Sequence, residues 1–262
     1  MPSTGPAHPA RWQRRARPLL GTLVEIGVGR DTAGDRPLHA APDTPPPDPA
    51  RSGFEAIEAV QGCLSRFDPD SDIARFNALG SRAFLTVRPV TVEALRAASE
   101  LQRLTGGLFD ISLGSAPGGW TLDDNRLVKH DARARLDLGG IGKGLAVDRA
   151  VQALIDDGVC SGWVNAGGDL RVFGHAELPI QLRDERAGGV RPFALLHNGA
   201  FATSRFGGSA RATLAGGAAT AAHVSVAAPR CLWADALTKI VAASGDPRHP
   251  LLARYDAAAW QH

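Results

Sequence analysis

Apolar and polar positions divide this chain into short stretches of period two and longer ones of helical period. Leu19–Val28 alternates in part and is rich in β-branched residues, which predicts a strand. From Gly29 to Ser52 the pattern stops, and Pro37, Pro42, Pro45, Pro46, Pro47 and Pro49 predict a polyproline-like insertion outside the core. Helical spacing returns over Gly53–Phe67, where Phe54, Ile57, Val60 and Leu64 share one face. Pro69 breaks that helix, and Ser71 or Asp72 is placed to cap a short one ending at Asn77. A strand around Phe84–Val87 precedes a helix over Thr91–Leu104, with Leu95, Ala98, Leu101 and Leu104 inward and Gly106 and Gly107 closing it.

The next patterned stretch, Leu136–Asp169, is the one around which the rest is organised. An apolar strand end meets a turn in which Gly139, Gly140, Gly142 and Gly144 remove side chains, so the backbone is free to take positive φ and approach a ligand. A helix follows, with Val147, Ala150, Val151 and Leu154 on one face, then a second strand ending in Gly167, Gly168 and the acid Asp169. Lys143 lies inside the turn. Unpaired N–H groups at a helix N-terminus, joined by an ammonium, make a candidate phosphate or pyrophosphate site. Packing alone is the competing reading of such a turn. Neither nucleotide fingerprint fits, because Lys143 is followed by Gly144 and not by Ser or Thr, and Gly142 and Gly144 are followed by Val147.

Beyond Asp169 the pattern predicts short strands at Leu170–Phe173, Leu178–Leu182, Pro192–Leu196, Gly199–Ala202 and Val224–Ala227, close enough for antiparallel neighbours. The Gly- and Ala-rich run 207–222 predicts a loose connection. The last helix, Leu232–Ser244, places Leu232, Ala236, Leu237, Ile240 and Val241 on its apolar face and Asp235 and Thr238 on adjacent turns. That carboxylate and hydroxyl suit Mg²⁺, a hard cation that takes oxygen ligands; an Asp235–Lys239 pair at i,i+4 is the alternative. Asp110, between apolar neighbours, is either a cap to nearby N–H groups or a ligand contact.

Composition narrows the choices. The 262 residues can bury a full core as one large domain. A formal charge of +2, mixed along the chain, gives no support to a nucleic-acid partner, and Arg11, Arg14, Arg15 and Arg17 are expected to be a solvated N-terminal arm. Cys63, Cys160 and Cys231, odd in number and far apart, predict neither a disulfide framework nor a zinc site. With only three lysines against 26 arginines, a lysine inside the glycine turn stands out from background usage. No run has the length of a membrane span and no signal-peptide h-region opens the chain, so the expected location is cytoplasmic, or exported or lipid-anchored should the true start lie upstream.

Separated segments then resemble the ApbE family in the same order: R-P-L-L-G-T, F-D-P-D-S-D-I-A-R-F-N, G-G-L-F-D-I-S-L-G, D-L-G-G-I-G-K-G-L-A-V-D-R-A, V-N-A-G-G-D-L-R-V-F-G, A-T-S, and V-S-V-A-A-P followed by A-D-A-L-T-K. The resemblance implies an α+β, T-fold-like single domain of mostly antiparallel sheets covered by four main helices. It would span 19–248, with the basic arm 1–18 before it, the insertion 29–52 inside it and a tail 249–262 after it. It implies an FAD:protein FMN transferase, a Mg²⁺-dependent enzyme that moves FMN from FAD onto a threonine hydroxyl of an acceptor protein and releases AMP. FAD would contact Leu20, Phe67, Asp68, Pro69, Leu108, Phe109, Asp110, Asp137 and Lys143. The metal would be held by the Gly140 carbonyl, Asp235 and Thr238. Two positions depart from the family pattern. Lys239 stands where members usually carry a threonine four residues after the aspartate, and the H-x-x-D-P-like segment expected after A-T-S is absent, with His223 the one histidine nearby. No general base is assigned, and hydrolysis of FAD to FMN and AMP, or flavin binding without catalysis, remain as alternatives.

Overall fold

The computed structural model describes residues 12–29, 48–183, 188–206 and 223–262; most of the proline-rich insertion and the whole of 207–222 lie outside them. Two strands, β1 (Trp12–Leu19) and β2 (Thr22–Gly29), form a hairpin where one strand was expected. Its turn is Leu20–Gly21, both at positive φ (55° and 70°), which is the geometry that two-residue hairpin turns demand. Helix α1 (Arg51–Leu64) begins two residues before the expected start and ends three residues before the expected end; α2 (Asp72–Ala78) follows, capped by Ser71, whose side chain accepts the Ala74 N–H. Then come β3 (Ala83–Thr86), α3 (Pro89–Leu104), β4 (Trp120–Asp123), β5 (Arg126–Lys129) and α4 (Gly142–Asp156). The remainder is β6 (Gly162–Ala166), β7 (Asp169–Phe173), β8 (Glu177–Arg183), β9 (Val190–His197), β10 (Ala200–Arg205), β11 (His223–Ala228), α5 (Cys231–Ser244), the short α6 (Leu251–Arg254) and β12 (Ala258–Gln261).

The main sheet runs β1-β2-β6-β7-β10-β11-β12, antiparallel throughout. Helices α1, α4 and α5 pack on one another and on one face of it. Strand alternation decides what each face carries. On β7, Leu170 and Val172 join the small cluster under the β8–β9 hairpin with Trp163, Ile180, Leu182 and Phe201, whereas Asp169, Arg171 and Phe173 point to the helices. Helix α5 is buried on nearly every side, as a helix between a sheet and a second helix must be. Residues 12–18 of the expected arm and 258–261 of the expected tail instead form part of the outer strands β1 and β12, while 1–11, with Arg11, lie outside the described residues. Arg14, Arg15 and Pro18 on β1 fit an edge, where charge and proline block further pairing.

Leu136–Leu138 is not a strand. Asn77 takes the place of a sheet neighbour: its amide donates to the Leu136 carbonyl at 2.9 Å and accepts the Leu136 N–H at 2.7 Å. No helix among the described residues is long and apolar enough to cross a membrane.

Candidate active site

None of Gly139, Gly140, Gly142 and Gly144 takes a positive φ, contrary to the expectation from sequence. Close packing excludes a side chain at Gly144, whereas a Cβ at Gly140 or Gly142 would make only ordinary contacts, at 3.6 and 3.7 Å. At Gly144 the first turns of α4 and α5 touch, and a Cβ there would lie 2.7 Å from the Cys231 carbonyl carbon and 2.8 Å from Asp235 Cβ. The turn is stiffened by Asp137, whose Oδ1 accepts the Gly139 N–H at 2.8 Å while Oδ2 lies 3.3 Å from Arg66 Nε.

Beside this turn is a cavity of about 380 Å³. Leu20, Gln61 and Phe67 line it together with Asp137, Gly139 and Lys143. Leu20 is a non-glycine residue at positive φ, a conformation of appreciable cost, and Gln61 holds it by accepting its N–H at 2.6 Å. Phe67 is 82% exposed at the rim, with the Arg66 guanidinium 4.5 Å from its ring centroid. Four of the nine expected flavin contacts are thus brought together from separated segments, and Gln61 and Arg66, which carry no sequence signature, join them.

The other five are placed differently. Asp68 and Pro69 lie in the turn before α2, where Asp68 Oδ1 accepts the Asp70 N–H at 3.1 Å. Leu108 is partly exposed, and Phe109 is buried with its ring edge 3.6 Å from where a Gly140 Cβ would stand. Asp110 accepts from Gln102 Nε2 and the Ser112 N–H on one oxygen and from Ser112 Oγ and the Gly114 N–H on the other, at 2.7–3.2 Å, so its contacts are those of a turn cap.

Behind the cavity sits a buried cluster of two carboxylates and two ammonium groups. Lys143 pairs with Asp169, which is 1% exposed, and lies 3.9 Å from Asp235 Oδ1. Asp235 is fully buried, accepts the Gly144 N–H on Oδ2 at 3.0 Å, and pairs through Oδ1 with Lys239, so the i,i+4 alternative is realised. Burial holds the Lys143 ammonium below the ordinary lysine value, with Asp235 pulling the other way. Burial likewise pushes Asp235 up, but Lys143 and then Lys239 outweigh it and keep this carboxylate below its usual range.

The Asp235 and Thr238 oxygens do not fit an incoming divalent cation. The expected ligand Thr238 has its Oγ1 bonded to Ser204 Oγ at 2.8 Å and to the Asp235 carbonyl at 2.7 Å. One oxygen of Asp235 is held by a backbone N–H and the other by Lys239, while the Lys239 stem passes 3.7 Å from where a Gly140 Cβ would stand. No group of three or more His, Cys, Asp or Glu suited to a metal occurs among the described residues. His223, the one histidine near the altered segment, sits on β11 stacked against His262, with ring centroids 5.5 Å apart.

The family model described as ApbE family matches residues 20–126 and 116–259. The chain belongs to the ApbE family. An FAD:protein FMN transferase of Vibrio cholerae is 25% identical over 147 residues, a match that covers 45% of this chain and 44% of that protein, under half of its length. Among solved structures, the flavin transferase ApbE from Vibrio cholerae superposes with a TM-score of 0.77 at 19% identity, covering 97% of this chain and 94% of that one. The apo flavinyl transferase ApbE of Pseudomonas stutzeri gives 0.76 at 23% identity, covering 95% of this chain and 90% of that one. The ApbE-family fold, mixed helix and antiparallel sheet as expected, is therefore that of this chain.

Proposed function

We propose that this protein is an FAD:protein FMN transferase that moves FMN from FAD onto a threonine hydroxyl of an acceptor protein. Its membership of the ApbE family and the names of its relatives support the reaction class. The observation that carries the assignment to this chain is the cavity beside the glycine turn, whose lining draws Leu20, Phe67, Asp137 and Lys143 from separated segments. Its volume is in the range of small-molecule sites, roughly 300–1,000 Å³.

In the reaction the acceptor oxygen bonds to the FMN phosphorus, the P–O–P bridge breaks, AMP leaves with the electron pair, and the hydroxyl proton passes to a base or to water. Negative charge grows on the leaving phosphate. Lys143, fixed by Asp169 and close to the N-terminus of α4, is the cation placed to meet it, and such preorganised charge is the largest common source of rate enhancement. Magnesium on Gly140, Asp235 and Thr238, expected from the family resemblance, meets Asp235 and Thr238 oxygens that are already engaged, so no step is assigned to it.

The test is incubation with FAD and a threonine-containing acceptor peptide, with chromatography for AMP and mass analysis of the peptide. AMP together with a peptide heavier by FMN less one water is the expected result. AMP with free FMN alone would replace transfer by hydrolysis, and intact FAD would refute both.

A further inference from the structure

We infer that Lys239 supplies, as a side-chain cation, the positive charge beside Asp235, so that this chain handles a diphosphate with Lys143 facing it and without a divalent metal at that place. The inference rests on the flavin reading of the cavity only for the identity of the diphosphate; the occupancy of the Asp235 oxygen stands on geometry alone.

An ammonium has three donors and no acceptor. Those of Lys239 are all used: it donates to Ser204 Oγ at 2.9 Å, to the Asp235 carbonyl at 3.1 Å, and to Asp235 Oδ1. It is 5% exposed, so water replaces none of these partners. The residues from which a metal would draw oxygens converge on it: Asp235 and Thr238 from the same helix, Ser204 from β10, and Gly140 beside its aliphatic stem. The place is built for one cation and holds one.

Charge balance points the same way. Buried charges persist when they are paired, and Asp169 and Asp235 against Lys143 and Lys239 make a neutral set. A divalent ion entering beside Asp235 would find two ammonium groups already against its carboxylate, and Mg²⁺ requires near-octahedral oxygen ligation at about 2.0–2.1 Å, which Lys239 obstructs at Oδ1. Removing the ammonium reverses the balance and leaves one uncompensated carboxylate. Chain composition adds an independent observation: two of only three lysines in the protein lie in this cluster. With Lys239 fixed behind Asp235, Lys143 is the ammonium that faces the cavity.

Two measurements on the full chain decide the point. In the first, Mn²⁺ is titrated into wild type, Lys239→Thr and Asp235→Asn, and free Mn²⁺ is followed by electron paramagnetic resonance. The expected result is no Mn²⁺ bound at Asp235 in wild type. One equivalent of Mn²⁺ held by wild type and lost in Asp235→Asn would overturn the inference. Mn²⁺ that survives Asp235→Asn is bound elsewhere and leaves Asp235 metal-free, as inferred. Lys239→Thr, which removes the ammonium, is expected to gain a site; should it unfold, the comparison of wild type with Asp235→Asn still decides. In the second, FAD binding is measured by flavin fluorescence in Mg²⁺ and in EDTA. Equal affinity in the two buffers is expected, with Lys143→Met weaker by about tenfold in both. Binding by wild type that EDTA abolishes would overturn the inference. Absence of FAD binding in either buffer would refute the flavin reading of the cavity and leave the Mn²⁺ result to decide the role of Lys239.

Discussion

Asp148 offers the sharpest test of how the site is held. It lies on α4, is 4% exposed, and caps a helix to which it does not belong: Oδ1 accepts the Cys231 N–H at 2.9 Å and Oδ2 accepts the Leu232 N–H at 3.0 Å, the first two of α5. The residue preceding α5, Arg230, makes no side-chain cap. Arg171 on β7 adds an ion pair at 2.8 Å and Arg230 another at 3.3 Å. Asp148→Ala leaves two N–H groups in a dry interface, each costing roughly 1–3 kcal/mol, and removes a carboxylate that favours the positive end of the helix by a further ~0.5 kcal/mol. The two arginines are partly exposed, so their share is discounted to about 1 kcal/mol together. The expected loss is about 5 kcal/mol, or roughly a 10–20 °C fall in Tm at this chain length. Asp148→Asn keeps the shape and one acceptor and should lose about half as much. Urea unfolding followed by far-ultraviolet circular dichroism measures both. A loss under about 1 kcal/mol for Asp148→Ala would mean that the apolar faces of α5 alone fix its position, and would remove the mechanical link between Asp148 and the Asp235 cluster.

Gly144→Ala should destabilise by about 3 kcal/mol or more in the same assay, because the new methyl meets Cys231 backbone and Asp235 Cβ, neither of which is a flexible side-chain end. Asp110→Ala should cost about 2–3 kcal/mol by releasing four donors in its turn, and an unchanged midpoint would refute the capping role. Burial first, then His223 and Arg191, lower the pKa of His262; the unfolded chain therefore binds the proton more readily, and stability falls as pH drops below about 6.5 until the folded-state value is passed. His262→Gln should flatten that part of a Tm-against-pH profile while leaving the alkaline side unchanged.

Periodicity made the four long helices legible because each buries a face at regular spacing: Phe54, Ile57, Val60 and Leu64 on α1, and Val147, Ala150, Val151 and Leu154 on α4 are all buried, as the pattern requires. Elements with little to bury went unseen. The hairpin of β4 and β5 has strands of four residues joined by Asp124 and Asn125, and β1 and β12 are outer strands whose composition follows the edge and not the core. The hairpin turn at Leu20 escaped for a different reason: its positive φ falls on a leucine, where sequence rules look for asparagine or glycine.

The site divides along the same line. Motif order singled out Lys143, Asp137, Leu20 and Phe67, which line one cavity, since each sits in a contiguous, recognisable segment. It could not say what Asp235 holds, because that depends on where a neighbouring side chain ends. Threonine and lysine at position 239 are both compatible with a helix between a sheet and another helix, yet a threonine hydroxyl stops near the backbone whereas a lysine reaches Asp235 Oδ1 and Ser204 Oγ. One residue thus decides whether the carboxylate is a ligand or half of an ion pair. The lone acid after Gly167 and Gly168 is legible only in hindsight as the partner of Lys143, for strand alternation turns Asp169 inward only once β7 is known to be covered by helices on that face. A charged cluster assembled from α4, α5, β7 and β10 is therefore a property of packing, and its neutrality, not the identity of any one motif, underlies the metal-free reading of Asp235 that we propose.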